Sequence, residues 1–354
     1  MALQFHRLEV ASVARETDDS VTITFAIPPG LAPEFRFLPG QHVTIRAEID
    51  GMDVRRSYSI CESANTGRLR IGVKRLEGGA FSTFATTVVQ AGHQLDVMPP
   101  VGEFTIEPAP EARNHYAAIA AGSGITPVLS LISTTLESEP NSTWTLVYGN
   151  RAARTVMFLD ELAGLKDLYP ERFHVIHVLS REEAEVPLFT GRIDAEKLAA
   201  LFDTVIDPAT VDRWFLCGPF EMVKEARMTI ESLGISSDRI ADELFFAGPP
   251  EDLPPPPPED EGAVALEFTL EGRTSSTRMD PDHSILDAAL GVRRELPYSC
   301  KGGMCASCKA QLVKGDVRMI KNYALVQADL DEGFILTCQA HPLSPSIVVD
   351  YDRR

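Results

Sequence analysis

Hydrophobic positions recur along this chain in three different rhythms. Between residues 1 and 106 the rhythm is short. The runs VTITFAI, HVTIRAEI, RLRIGVKR and HQLDVMP are separated by turn signals that include Gly40, Gly51, Gly67 and Gly92. Several short strands at close spacing predict a small antiparallel barrel. From residue 115 to 246 the apolar runs YAAIAAG, TWTLVYG, FHVIHVLS and RWFLCGP alternate with helical stretches such as PVLSLISTTLES and EMVKEARMTIESLG. Strand–helix alternation predicts a parallel sheet with helices on both faces. The block from 263 to 354 has strand-like VALEFTLEG, CKAQLVKGD and SIVVDYD and one short helical stretch, SILDAALGVR, which predicts a small α+β domain. Before that block comes EDLPPPPPEDE, residues 251–261. Consecutive prolines donate no backbone hydrogen bonds and favour an extended, solvated spacer.

These rhythms divide the chain into domains at 1–108, 109–248 and 263–354, with an acidic proline-rich linker at 249–262. A length of 354 residues suits such a multidomain plan. Composition is ordinary for a globular protein, with 44% hydrophobic and 24% charged residues. Charge is more selective. A net charge of −18 excludes nucleic acid as a natural partner and disfavours an anionic membrane. The N-terminus, MALQFHRLEV, lacks the basic and apolar regions of a signal peptide. No run approaches the roughly 18 apolar residues of a membrane helix. The expectation is a cytoplasmic enzyme, where six cysteines are not read as three disulfides.

Four of those cysteines crowd into the last block. Cys300, Cys305 and Cys308 have the x4 and x2 spacing of a plant-type [2Fe–2S] site, and Cys338 supplies a fourth thiolate from a later segment. Gly302 and Gly303 lie inside the loop, where positive φ and free backbone amides suit a compact cluster. The competing assignment is zinc on the same four cysteines. Zinc ribbons, however, usually pair two C-x2-C knuckles, and only one is present.

Two further motifs concern organic cofactors. Arg56-Ser57-Tyr58-Ser59 follows a strand in the first block. Arg56 has the geometry to fork onto a phosphate, Tyr58 to stack on a flavin ring and Ser59 to reach the flavin N5 region. By itself the motif is short enough to occur on a surface strand by chance. Gly78-Gly79-Ala80-Phe81-Ser82 then enters the helical stretch STFATTVV, as a pyrophosphate-binding turn does. In the second block Gly122-Ser123-Gly124-Ile125-Thr126-Pro127 follows YAAIAA and opens a helix. It departs from G-x-G-x-x-G by ending in proline, a residue suited to a first helical turn.

Taken in this order, the motifs of the first 246 residues resemble the ferredoxin–NADP reductase superfamily. The resemblance implies a barrel that binds FAD, then a nucleotide-binding parallel sheet. It places Arg56, Ser57, Tyr58 and Ser59 around the flavin, Val73 and Lys74 against it through their backbone, and Gly79, Phe81 and Ser82 at the pyrophosphate. It places Gly122, Gly124 and Thr126 at the nicotinamide, together with the strand end Cys217-Gly218-Pro219. The catalytic candidates it implies are Ser59, Cys217 and Glu243 of DELFFAG, with Phe245 or Phe246 shielding the flavin. Cys217 also suits a plain role as a small buried hydrophobe, which is the reading for Cys61. Ser180-Arg181, after FHVIHVL, resembles a clamp for a 2′-phosphate and favours NADPH over NADH. The alternative for Arg181 is a solvated loop charge. His174 and His177 are read as structural.

Flavin, nicotinamide and iron–sulfur parts together imply a direction. A nicotinamide gives up two electrons as a hydride, a cluster takes one at a time, and FAD stands between them. Across nearly the whole chain, stretches such as LPYSCKGGMCASC and FILTCQAHPLSPSIVVDYD resemble reductase components of multicomponent oxygenases. The phenylacetyl-CoA 1,2-epoxidase type is most alike. Those of 3-ketosteroid 9α-hydroxylases and ring-hydroxylating oxygenases come next. The implied partner is an oxygenase component. Two other classes stay open at this point: a non-enzymatic ferredoxin-type carrier and a four-cysteine zinc module.

Overall fold

The computed structural model describes residues 4–183, 186–245 and 263–353. The proline-rich linker and Phe246 therefore lie outside the described residues. By packing, the chain forms two compact units. The first comprises His6–Val54 and Tyr58–Phe245, and the second groups the C-terminal residues with the N-terminal segment to Phe5 and with Arg55–Ser57.

The first unit begins with a six-stranded antiparallel sheet. Its strands are β1 (His6–Thr17), β2 (Ser20–Ala26), β3 (His42–Ile49), β4 (Met52–Ser59), β5 (Leu69–Lys74) and β6 (Gln94–Val97), in the order β4-β3-β6-β1-β2-β5. The sheet closes on itself. Ile60, directly after β4, bridges Ile71 on β5 at the far end of the order, and Cys61 N donates to Arg70 O at 2.9 Å. Leu8, Val10, Ile23, Val43, Ile45, Leu69, Ile71 and Val73 fill the interior. One helix, α1 (Ala80–Thr87), covers the barrel with Phe81 and Ala85. Arg56–Ser59 is the last part of β4 itself, not a segment after a strand. Asp53, Arg55 and Arg56 interrupt the apolar alternation there, and only neighbour pairing reveals the strand.

A five-stranded parallel sheet follows, built from β7 (His115–Ala121), β8 (Thr143–Asn150), β9 (Phe173–Leu179), β10 (Arg213–Gly218) and β11 (Ile240–Leu244). Its order is β11-β10-β7-β8-β9. Both faces are covered, so the strands read as continuous apolar runs. Ala118, Ala120, Leu146 and Cys217 pack toward α2 (Ile125–Ser138) and α3 (Leu159–Leu168). Ala117, Ile119, Val147 and Leu216 pack toward α4 (Ala195–Thr204) and α5 (Phe220–Ser232). The chain reverses its direction of sheet growth between β7 and β10. Ligand crevices form outside the carboxyl ends of the strands at such a switch point.

The second unit holds a five-stranded mixed sheet, ordered β13-β12-β18-β14-β16, and a two-stranded ribbon of β15 and β17. The strands are β12 (Val264–Leu270), β13 (Arg273–Met279), β14 (Lys309–Lys314), β15 (Val317–Met319), β16 (Phe334–Leu336), β17 (Ala340–Pro342) and β18 (Ser346–Asp350). Helices α6 (Ile285–Leu290) and α7 (Gln327–Asp331) complete it. Ile285, Leu286 and Ala289 seal a core of Leu266, Phe268, Leu336, Ile347 and Val349. No helix among the described residues is long and apolar enough to cross a membrane.

Candidate functional site

Two glycine-bearing turns end β7 and β10 side by side. Gly124 is buried against the strand end that follows Cys217. A side chain there would place its first carbon 2.1 Å from Cys217 O and 2.9 Å from Gly218 N. Gly122 adopts φ +55°, and its carbonyl accepts from the Tyr148 hydroxyl at 2.9 Å. The N-terminus of α2 has no side-chain cap; it continues from the helical turn Gly122–Gly124, whose carbonyls at Gly122 and Ser123 take the Ile125 amide. Pro219 is exposed at the mouth.

The barrel meets this crevice through its own strand ends. Ser59 is buried at the end of β4, and its Oγ donates to Glu243 Oε2 at 3.0 Å. Glu243 Oε1 lies 3.6 Å from His42 Nδ1 at the start of β3. On the sheet, Glu243 is the register partner of Cys217. Burial pushes the Cys217 thiol pKa well up, and the Glu243 carboxylate adds to the rise. The thiol therefore stays neutral. The three catalytic candidates Ser59, Cys217 and Glu243, distant in sequence, thus meet at one junction. Thr126 joins them from α2. Its Oγ1 donates to Ser123 O at 2.9 Å, and its methyl faces Gly72 of β5, where an added carbon would lie at 2.7 Å.

The barrel's other cofactor candidates divide into two groups. Arg56 is exposed, and its guanidinium donates to the neighbouring Arg55 carbonyl at 2.7 Å. Tyr58 is half-buried, with its ring 5.3 Å from that of Phe81. Ser57 lies between them on β4. The uncapped start of α1 supplies amides beside Gly79. An aromatic face and a bare helix N-terminus in the first unit fit a flavin dinucleotide, and the exposed Arg56 guanidinium by itself suits a phosphate. Two candidates are occupied otherwise. The Phe81 ring is a core side chain, which leaves only its main chain for a cofactor. Ser82 Oγ donates to Gly79 O at 3.2 Å and accepts from Leu76 N at 3.1 Å, so it shapes the turn. Val73 is fully buried, and Lys74 Nζ lies 3.7 Å from Asp19. Both keep their backbone on β5.

At the far edge of the parallel sheet, Arg151, Arg154, Arg181 and Glu182 border a hollow of about 550 Å³. Arg181 N donates to Arg151 O at 2.8 Å, and Ser180 N to Asn150 O at 2.9 Å. Three exposed guanidinium groups with no acidic partner among the described residues suit a phosphate monoester. Arg151 and Arg154 are not among the residues that the motifs single out. Two arginines three apart, directly after VYGN, are nonetheless a readable signal. His42 is a further addition, and nothing short of the barrel topology brings it to Glu243. His177 behaves structurally: it sits on β9 with its ring 5.9 Å from that of Tyr148, and burial lowers its pKa. Cys61 is buried, with Sγ 3.4 Å from Arg70 O.

In the second unit the four cysteines fall into two pairs. The strongest electrostatic coupling runs between the thiols of Cys300 and Cys305 and between those of Cys308 and Cys338. Among the described residues, no three or more histidine, cysteine or acidic side chains converge as one metal site. Four thiols with backbone amides directed at their sulfurs suit an iron–sulfur cluster. Backbone donors surround the sulfurs. Gly302 N lies 3.3 Å and Met304 N 3.5 Å from Cys300 Sγ, and Cys300 N lies 3.5 Å from Cys305 Sγ. The neighbouring Cys305 thiol brings the Cys300 thiol down to about 6, with the Gly302 and Met304 amides adding to the fall against burial. The loop reaches this shape through left-handed residues. These are Gly303 at φ +78°, as expected, but also Lys301 and Ala306, each at φ +50°, and not Gly302. Non-glycine residues in that region cost about 1–2 kcal/mol each.

Known proteins carry the same parts in the same order. The family profile described as Oxidoreductase FAD-binding domain matches residues 7–106, and Oxidoreductase NAD-binding domain matches 118–228. The profile 2Fe-2S iron-sulfur cluster binding domain matches 268–343. The chain is 43% identical over 351 residues to a subunit of the 1,2-phenylacetyl-CoA epoxidase of Escherichia coli, covering 99% of this chain and 98% of that one. It is 34% identical over 357 residues to the 3-ketosteroid-9-alpha-monooxygenase ferredoxin reductase component of Mycobacterium tuberculosis, covering 98% and 95%. Among solved structures, phthalate dioxygenase reductase shares the fold with a TM-score of 0.60 at 23% identity, over 98% of each chain.

Proposed function

The chain belongs to the family of FAD- and [2Fe–2S]-containing reductase components of multicomponent oxygenases, and on that premise we propose which of its residues carry electrons from NADPH to an oxygenase. The observation that carries the reading is the junction of Ser59, Cys217 and Glu243 at the switch point of the parallel sheet. Bound there, a flavin supplies the exchange between two-electron and one-electron chemistry. The chain's residues orient and insulate that exchange. Arg56 and the amides at the start of α1 hold phosphates, and Tyr58 backs the ring. Gly122, Gly124, Thr126 and Gly218 shape the nicotinamide's seat, with Pro219 at its rim. Glu243 fixes the Ser59 hydroxyl, and the neutral Cys217 thiol keeps charge and water from the reacting face. Cys300, Cys305, Cys308 and Cys338 would hold the [2Fe–2S] cluster, which would take electrons from the flavin one at a time. The domain ranges 1–108, 109–248 and 263–354, with a spacer at 249–262, organise these stations along the chain.

The electron acceptor is the oxygenase component of a phenylacetyl-CoA epoxidase. Identity of 43% along 99% of the chain supports that type over the 3-ketosteroid type. Reconstitution with each oxygenase component, scored by product formation, tests the choice; faster coupling to the steroid component would reverse it. For the nucleotide, Arg181 with Arg151 and Arg154 selects NADPH. Removing one charged hydrogen-bonding partner costs about 1.5–3 kcal/mol, so Arg181→Ala raises the KM for NADPH about 10- to 100-fold and leaves that for NADH unchanged. A parent enzyme that prefers NADH sinks this assignment.

A further inference from the structure

We propose that Gln339 is a positioning residue for the iron–sulfur centre: its carboxamide closes the two arms of the cysteine site and, by donating to the Cys338 sulfur, raises the potential of the centre. The proposal rests on the assignment of the four cysteines above. Twenty-nine residues separate Cys308 from Cys338, so two arms of chain must be held together. The two neighbours of Cys338 do this on opposite sides. Thr337 grips the Cys308 carbonyl, through Oγ1 at 2.9 Å and its amide at 3.3 Å. Gln339 grips the other end of the loop, with Nε2 donating to Lys301 O at 2.8 Å. Lys301 is one of the left-handed residues, so this bond secures a carbonyl held in an unfavourable conformation.

The same Nε2 lies 3.1 Å from Cys338 O and 3.7 Å from Cys338 Sγ. A carboxamide nitrogen carries two hydrogens, so three acceptors share them. An ionised sulfur is the stronger competitor of the two on Cys338, because charge-assisted hydrogen bonds are roughly twice as strong as neutral ones. Gln339 is only 8% exposed, which keeps water from replacing that donor. The neighbouring glycine makes room for it. A side chain at Gly303 would put its first carbon 3.2 Å from Gln339 Cγ and 2.9 Å from Lys321 O. Donors to cluster sulfurs stabilise the reduced, more negative state, so removing one lowers the potential.

The test uses the full-length, cofactor-loaded protein in parent form and as Gln339→Met, Gln339→Glu and Thr337→Val. Redox titration followed by electron paramagnetic resonance reads the midpoint and the spectrum of the reduced centre. Gln339→Met keeps the length without the donor. Its midpoint falls by the equivalent of about tenfold in the one-electron equilibrium, about 59 mV. Gln339→Glu falls further because it adds negative charge. Thr337→Val loses a clamp but no sulfur donor, so its midpoint stays while its melting temperature drops. Unchanged midpoints in both Gln339 variants overturn the proposal, as does an equal shift in Thr337→Val. Failure of both Gln339 variants to load, with circular dichroism intact, also overturns it and leaves a structural role. Iron and sulfide assay of the parent is a separate check: a parent without them sinks the four-cysteine assignment instead.

Discussion

In the cysteine loop, three of the four proposed sulfur ligands come from nine consecutive residues, 300–308. In the proposed flavin–nicotinamide crevice, the residues that meet are His42, Ser59, Gly72, Thr126, Cys217 and Glu243, drawn from six separate segments. The loop is thus a local object whose chemistry is written in spacing. The crevice is a product of topology, assembled where a closed barrel abuts the switch point of a parallel sheet. A local site tolerates change elsewhere and fails abruptly when one ligand is lost. An assembled site is sensitive to the close approaches that bring its parts together.

The sharpest way to break the comparison is to remove a ligand from the loop. Cys305→Ser leaves one iron short of a thiolate. Iron and sulfide content fall to background, and electron delivery to the oxygenase falls by more than about 100-fold, since the site has no substitute donor. Reduction of ferricyanide by NADPH, which draws on the flavin, stays at the parent's rate. Loss of that activity too would show that the loop is not self-contained. The converse experiment strikes the crevice. Gly124→Ala drives a carbon toward the backbone of Cys217 and Gly218, which has no rotamer to yield. Overpacking of this kind costs about 1–3 kcal/mol, a fall of roughly 2–10 °C in melting temperature for a unit of this size. NADPH then reduces the flavin more slowly while cluster content is unchanged. Parent-like melting and rate in Gly124→Ala would deny the crevice its dependence on close packing.

The same contrast governs what the sequence reveals. The run HVTIRAEI coincides with β3, His42–Ile49, because apolar alternation and a buried face go together there. Strand β1 has no comparable signal. In HRLEVASVARET only Leu8 and Val10 alternate into the core, and the remainder is held by pairing with β2 and β6. Strand β13, RTSSTRM, is polar almost throughout and exists through β12. The candidate motifs at Gly122–Pro127 and Cys300–Cys308 stand out in the sequence because each is one continuous turn. Motifs mislead where side chains and backbone divide the labour. Phe81 and Ser82 belong to a binding turn, yet one ring fills the core and one hydroxyl braces the loop. The amides of Cys300, Gly302 and Met304 that approach the sulfurs are placed by the fold of the loop, which spacing alone leaves open.

A milder perturbation sharpens how the assembled crevice is held. Glu16, on β1 of the barrel, accepts the Phe158 amide at 2.7 Å. Phe158 begins α3 with φ +59°, rare for a bulky residue, and its ring lies beside Gly72. Burial raises the Glu16 pKa above 4.5, the Phe158 bond opposes the rise, and Glu161 and Asp160 add to it. A carboxyl raised in the folded state stabilises the fold fully below its unfolded pKa. That stability is lost as pH climbs from 4.5 through the folded value. Glu16→Gln keeps an acceptor for Phe158 but does not ionise, so it is free of this loss. Urea midpoints at about pH 4 and about pH 7.5 should therefore show the parent declining relative to the variant on the way up. The half-exposed setting keeps the change under about 1 kcal/mol. A pH-independent gap would mean that Glu16 ionises without penalty. A gap that favours the parent at high pH would mean that the charge on Glu16, not merely an acceptor, holds Phe158 and the two lobes in place.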